Sequence, residues 1–283
     1  MIITHVGGPT VLIEFDGWRL LTDPTFDPAG GHYDFGWGTS SDKVAGPAIA
    51  PSQLPPIDAV LLTHDHHGDN LDTAGRALLP SVGTVITTVN GARRLQLASG
   101  RGLAAGDTTR LTAPDKPAIE VTATPARHGP PLFRRFVGDV VGFALRRQDS
   151  DRVLLWITGD TVLHRPLRRM AATLSVDVAL VHVGGVQFPV TGPVRYTMTG
   201  RKAVELIDIA RPRVAFPVHY EGWTHFKARR DSVERALAAT PEDVRRRVSW
   251  LPIGSPRLVD QYTRRNGSEM SMKPPAIRRA RRV

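Results

Sequence analysis

The sequence predicts an α/β protein whose strand ends carry a histidine- and aspartate-rich site. Three observations lead there. Short apolar runs alternate with amphipathic stretches through most of the chain, which favours sheets covered by helices. Several of these runs stop at Gly, His or Asp. One of them, Ala59-Val60-Leu61-Leu62-Thr63, feeds directly into His64-Asp65-His66-His67-Gly68-Asp69-Asn70-Leu71-Asp72, with three histidines and three aspartates in nine positions. A short apolar run bounded by polar residues reads as a buried strand, so the histidines sit in the loop at its end. Imidazole and carboxylate are the usual ligands of zinc and similar divalent ions. The competing reading is a polar loop that caps the next helix. The density of ligand-type residues favours the metal reading.

The opening is a small β-meander. Ile2-Ile3-Thr4-His5, Thr10 to Phe15 and Trp18 to Asp23 are β-rich, joined by Gly7-Gly8-Pro9 and by the hairpin-type turn Asp16-Gly17. Asp23 ends a strand, and support of a metal ligand and a plain turn role are both open to it. Residues 24–56 are rich in Gly and Pro and show no regular element. A loop that long is usually functional. Its Phe26, Tyr33, Phe35 and Trp37 suit a cover over the site mouth.

The α/β alternation continues from there. A strand over 57–62 leads to a helix from Leu71 to Leu79, capped by Asn70 or Asp69. A strand over Thr84–Thr88, a helix over Asn90–Ala98 and a β segment near Thr108–Leu111 follow. A strand over Ala118–Pro125 ends at His128 in a Gly/Pro loop. Asp139–Leu145 and Arg152–Thr158 form a hairpin pair, the second ending in Gly159-Asp160. A strand over Val176–Val183 and a helix over Thr199–Ile209 come next; Ala203, Leu206, Ile207 and Ala210 form the helix's inner face. A strand over 213–218 ends at His219. A helix over Asp231–Ala239 and a last strand over Ser249–Pro252 complete the pattern. Four strands thus end in His- or Asp-bearing loops, supplying enough N and O ligands for two divalent ions.

Composition narrows the chemistry. The chain has 283 residues, 41% hydrophobic, with 26 Gly and 23 Pro, enough for a sizeable core. It has no cysteine, so any metal must sit on His and Asp or Glu. No apolar run approaches the roughly 18 residues of a membrane span, and the N-terminus shows no secretion signal, so a cytoplasmic location is expected. The net charge is +10, and half of that excess lies in the stretch Lys273 to Val283. The chain divides into a body over 1–260 and a basic, disordered tail over 261–283. The tail permits contact with an anionic membrane surface. Other Arg pairs, such as Arg93-Arg94 and Arg134-Arg135, are scattered, and no aromatic-interleaved basic motif speaks for a nucleic-acid partner.

The order of these motifs is similar to the metallo-β-lactamase superfamily: a strand-borne His cluster, a lone His, a Gly-Asp and a late His. The opening His5-Val6-Gly7-Gly8-Pro9 and Leu21-Thr22-Asp23-Pro24 resemble its lactonase-like and N-acyl-phosphatidylethanolamine phospholipase D-like branch. The resemblance implies a four-layer αββα sandwich with a dinuclear metal site at one edge. It implies His128 as the third histidine of the first site, Asp160 as the bridging carboxylate and His219 as the late histidine of the second. The first motif departs from the family's Thr-His-x-His-x-Asp-His. Counted from Thr63, the ligands are His64 and His66, with Asp69 in the last His position. Counted back from Asp69-Asn70, they are His67 and Asp69, with Asp65 in the first His position and Asn70 in the last. His64, His66, His67 and Asp69 therefore all remain candidates.

The expected activity is that of a metal-dependent hydrolase. A metal-bridged hydroxide would attack a small or lipid-like ester, lactone or phosphodiester. Zn is the favoured ion and Mn the alternative. Asp69 could orient the hydroxide as well as bind metal. His182 and His225 are candidate outer proton donors, with a structural role as the alternative, and Tyr220 and Trp223 could wall the pocket. Two other readings stand beside this one: a nuclease of the same superfamily, and a non-catalytic binding protein with a degenerate metal site.

Overall fold

The computed structural model describes residues 1–131 and 137–259. The expected basic tail and the pair Arg134-Arg135 lie outside them. β1 (Ile2–Gly7), β2 (Thr10–Phe15) and β3 (Trp18–Thr22) form the expected antiparallel meander. The long segment that follows holds an element that its composition hid. β4 (His32–Gly36) and β5 (Thr39–Asp42) pair as an antiparallel hairpin. The turn residues Trp37 and Gly38 both have positive φ, 55° and 72°, as a type I′ hairpin turn requires. β6 (Ala59–Leu61), β7 (Thr84–Thr88) and β8 (Gly100–Leu103) then extend the first sheet in parallel from β3. β8 was not expected in so glycine-rich a stretch. Gly102 is required there, because a Cβ would lie 2.8 Å from the Val89 Cα.

The second sheet contains β9 (Thr108–Ala113), β10 (Lys116–Pro125), β11 (Val141–Arg147), β12 (Val153–Ile157), β13 (Val176–His182) and β14 (Val214–Val218), in the order β14-β13-β12-β11-β10-β9. The expected last strand over 249–252 is not one. Val248 and Ile253 make isolated bridges, and β15 (Arg257–Leu258) instead closes the edge of the first sheet against β1.

Strand alternation builds the layers. Leu20, Ala59 and Leu61 face Val121, Phe143, Leu180 and Phe216 in a core between the two sheets. The alternate residues Leu21, Val60 and Leu62 face outward, to a cluster under α1 (Thr73–Leu78) and α2 (Val89–Leu95). On the other side, Trp156, Ala179 and Val181 pack against α3 (Arg165–Ala171), α4 (Gly200–Ala210), α5 (Arg230–Ala238) and α6 (Glu242–Arg245). The result is the αββα sandwich. Strands buried on both faces read as continuous apolar runs, which is why they were legible.

α1 begins two residues later than expected. Asp72, not Asn70 or Asp69, is its cap, accepting from Gly75 N at 2.8 Å. Asp72 also accepts from the Phe26 and Asp27 amides at 2.9 and 2.7 Å and from Lys43 Nζ at 2.8 Å. Both charged side chains are buried, so Asp72 ties the 24–43 segment to the sandwich. Removing one partner of a buried pair leaves the other charge uncompensated. We expect Lys43→Met to cost about 3 kcal/mol and to lower the melting temperature by roughly 6–12 °C, while the double variant Lys43→Met/Asp72→Asn recovers part of the loss. A single-variant shift below about 2 °C in thermal melting would show that the pair does not anchor this segment.

Candidate metal centre

β10, β12, β13 and β14 run in the same direction, so their C-terminal ends share one edge of the second sheet. Those ends deliver His128, Asp160, His182 and His219. The loop after β6 delivers His64, His66, His67 and Asp69 from the first sheet to the same place. All seven sequence-predicted ligands meet there. His64, His66 and His67 form one group whose nitrogens lie within 4.8 Å of one another; His64, His128 and Asp160 form a second, and Asp69, Asp160 and His219 a third. Asp160 belongs to the second and third groups, as a bridging carboxylate would.

Local chemistry aims each group. Gly159 has φ 64°, and a Cβ there would lie 2.6 Å from the Val141 carbonyl, so only glycine makes the turn that presents Asp160. His219 takes a left-handed φ of 57°, a strained conformation for histidine. Its amide donates to the Gly8 carbonyl at 2.9 Å, which His5 Nε2 also approaches at 3.0 Å. The Gly7-Gly8 turn of the opening motif thus holds His219, and His5 acts from behind it. His128 Nδ1 donates to the Tyr196 carbonyl at 2.9 Å. A carbonyl only accepts, so the proton is on Nδ1 and the Nε2 lone pair is free to ligate. His66 Nε2 donates to the Val137 carbonyl, which turns this ring toward the rim and leaves Nδ1 free. Asp65 is directed elsewhere. Asp65 is bidentate on Arg94, which, against the burial cost, holds its carboxyl well below the usual range. Asn70 Nδ2 donates to Thr63 Oγ1 at 3.3 Å. The register that puts Asp65 in a ligand position therefore loses it.

The electrostatics call for a cation. Burial lowers His64 and His67 well below their ordinary pKa and brings His128 and His219 down to about 4, so these rings are neutral at pH 7. Burial, then the charges of Asp69 and Asp23, push the Asp160 carboxyl well up. Burial also opposes ionisation of Asp69, but the nearness of the His219 and His225 rings outweighs it and holds that carboxyl low. Both Asp160 oxygens, both His219 nitrogens and Asp69 Oδ1 are buried with no hydrogen-bond partner. Buried polar atoms in native proteins are otherwise almost always paired. His219 Nε2 lies 3.4 Å from Asp69 Oδ2 and 3.3 Å from Asp160 Oδ2, close to the spacing of about 3.3 Å that bonds of 2.0–2.1 Å give in a tetrahedral site. The residues present fit divalent ions.

His182 stands behind this edge. It is fully buried, with Nε2 3.4 Å from Asp23 Oδ2. The other Asp23 oxygen accepts from the Thr63 amide at 2.7 Å, so Asp23 steadies the start of the histidine loop. The pocket wall is made by other residues. A cavity of about 250 Å³ has His67, Asp69, His128 and His225 at its floor. Its sides come from the hairpin tip and from residues 186–196, a segment that the sequence reading passed over. The one signal there was Phe188 and Val190 in a Gly/Pro-bounded loop. Phe35 and Trp37 line the mouth as expected, but Tyr220 and Trp223 do not wall it. Tyr220 packs on Trp250, and Trp223 is buried beneath Phe35.

The comparisons with known proteins agree with this geometry. The chain belongs to the metallo-β-lactamase superfamily: the family described as the beta-lactamase superfamily domain matches residues 18–220. A metal-dependent hydrolase of Pyrobaculum arsenaticum is 28% identical over 257 residues, which cover 86% of this chain and 99% of that protein. Among solved structures, an isothiocyanate hydrolase from Delia radicum gut bacteria superposes with a TM-score of 0.72 at 17% identity, over 91% of this chain and 99% of that one. Igni18, a metallo hydrolase from Ignicoccus hospitalis, does so with 0.67 at 20% identity, over 90% and 97%. These two show the fold. Among the described residues, no helix is long and apolar enough to cross a membrane.

His225 holds Asp69 in place. Its Nε2 lies 3.0 Å from Asp69 Oδ2, and its Nδ1 lies 2.5 Å from Ser41 Oγ on β5. Ser41 donating to Nδ1 and Nε2–H donating to the carboxylate makes one consistent chain. Partners that orient ligating carboxylates typically contribute 10–100-fold in metal affinity. We expect His225→Ala to weaken metal binding by about that factor, measured by competition with a chelator. His225→Gln, whose amide can still donate, should restore part of it. Wild-type affinity in the alanine variant would show that this hydrogen bond does not orient a ligand.

Proposed function

We propose that this chain, a metal-dependent hydrolase of the metallo-β-lactamase superfamily, holds two divalent ions, Zn or Mn. His64, His67, His128 and Asp160 would hold one and Asp69, Asp160 and His219 the other, with His66 supplementing the first from the rim. The observation that carries this reading is the set of buried, unpartnered oxygen and nitrogen atoms on Asp69, Asp160 and His219. When bound, such ions polarise a scissile carbonyl or phosphoryl oxygen and lower the pKa of water toward neutrality. The chain's own residues set the geometry. His225 fixes Asp69 Oδ2, and Oδ1, which has no other partner, would orient a water. Asp23 fixes Thr63 and hence the histidine loop. The hairpin and the 186–196 segment shield the reacting centre from bulk solvent. His182, hidden behind Asp23, serves as support for that carboxylate. The substrate is a small ester, lactone or phosphodiester.

Elemental analysis of purified protein, reconstituted with Zn or Mn, tests the reading directly. We expect about two equivalents per chain. Asp160→Asn, which touches both groups, should lower occupancy to less than one. His128→Ala should leave about one. Absence of metal after reconstitution would overturn the proposal, and a single equivalent in the wild type would reduce it to a mononuclear centre.

A further inference from the structure

We propose that the non-reacting part of the substrate is a compact, uncharged, apolar group, seated between the hairpin tip and residues 186–196. The inference rests on the hydrolase reading above and specifies what that site accepts. The cavity continues directly from the metal-binding floor, so a molecule that reaches the reacting edge must place its remainder against these walls. The walls are Phe35 and Trp37 from the hairpin, with Val186, Phe188, Val190 and Tyr196 opposite. Among the described residues, the lining contains no Lys or Arg. An anionic group entering it would lose its water without a charged partner, which is costly. A cationic group would lose its water against the same apolar walls and would face the proposed metal ions beyond them. At about 250 Å³ the cavity is smaller than the usual range for drug-sized ligands. A nucleic-acid strand or a whole lipid chain does not fit inside it.

Two further features mark the mouth as built for apolar contact. Trp37 is 75% exposed and Val190 62% exposed, and large exposed apolar side chains beside a pocket gain favourable burial when a ligand arrives. Trp37 also sits at φ 55°, a conformation that bulky residues rarely adopt and that clusters at ligand clamps. Asn or Gly would hold this turn more easily. Contact with a bound apolar group would give this tryptophan a role at the mouth. Its position is secured from below, since β5 carries Ser41, which bonds His225 and also Thr224 at 3.0 Å.

The test uses binding to the metal-loaded protein, with hydroxamic acids as metal-seeking probes read by isothermal titration. Acetohydroxamic acid measures the metal anchor alone. Benzohydroxamic acid adds an uncharged ring, and should bind roughly tenfold tighter or better if that ring is buried against these walls. Derivatives carrying a 4-sulfonate or a 4-trimethylammonium group should lose that gain. Trp37→Asn, which keeps the left-handed turn and removes the indole, should reduce the gain for benzohydroxamic acid and leave acetohydroxamic acid unaffected. Equal or tighter binding of either charged derivative, or no gain from the ring, would overturn the inference. Failure of the protein to take up metal, or of acetohydroxamic acid to bind, would instead overturn the underlying hydrolase reading.

Discussion

The structure is organised around carboxylates that burial alone would not leave ionised. Asp23, Asp69 and Asp160 converge at one edge of the sandwich, all buried. Water cannot screen them there, and the imidazoles around them are driven neutral by the same burial. Two of the three are managed by the protein itself. Asp23 spends one oxygen on the Thr63 amide and faces His182 with the other. Asp69 has His219 and His225 on one oxygen. Asp160 lies 3.3 Å from the same His219 nitrogen, yet burial, with the charges of Asp69 and Asp23, pushes its carboxyl well upward. A buried carboxylate without a partner is strongly destabilising, whereas a divalent ion turns the same crowding into binding energy. The site thus makes sense as a ligand set.

Holding that set demands backbone that the chain would otherwise avoid. His219 and Asp23 both take positive φ, at 57° and 31°. Such conformations persist only where the surroundings over-determine them. Here the surroundings are two sheets whose inner faces share one core and whose outer faces are each covered by helices. The strand ends are therefore fixed on three sides before the loops begin. The Gly7-Gly8 turn adds a clamp on the His219 backbone, and Gly159 lets the chain turn where any side chain would collide with the Val141 carbonyl.

This division explains what could be read in the sequence. The sandwich was legible because its central strands are buried on both faces and appear as unbroken apolar runs, β6 and β13 most clearly. The candidate ligands were legible because a strand end followed by His or Asp is a local pattern. The hairpin at 32–42 was not, because its second strand, Thr39-Ser40-Ser41-Asp42, has no apolar residue and its turn carries Trp where Asn would announce it. The extra strand β8 was hidden by the glycines that the close approach of α2 requires. α3 was missed as well, although Pro166 at its start is a common opening for a helix. The role of His225 was hidden for a different reason. Its partners Ser41 and Asp69 lie more than 150 residues away in the chain, and only the folded sheet edge brings them together.

The departure from the superfamily's first motif can now be read physically. Asn70 stands at the end of that motif, and its amide turns to Thr63. Asp69 is thereby left without a neighbouring imidazole in sequence. His225 arrives from the far end of the chain and bonds Asp69 Oδ2 in that neighbour's absence. Its other nitrogen is held by Ser41, on the strand that continues from the Trp37 turn. Phe188, from the opposite wall, stacks on the His225 ring with centroids 5.2 Å apart and planes within 11°. One histidine therefore joins the floor of the site to both of its walls. Ser41, His225 and Asp69 thus form one hydrogen-bonded chain from the hairpin to the site. In this chain the elements proposed to select the substrate and the group proposed to orient water are joined through one buried ring.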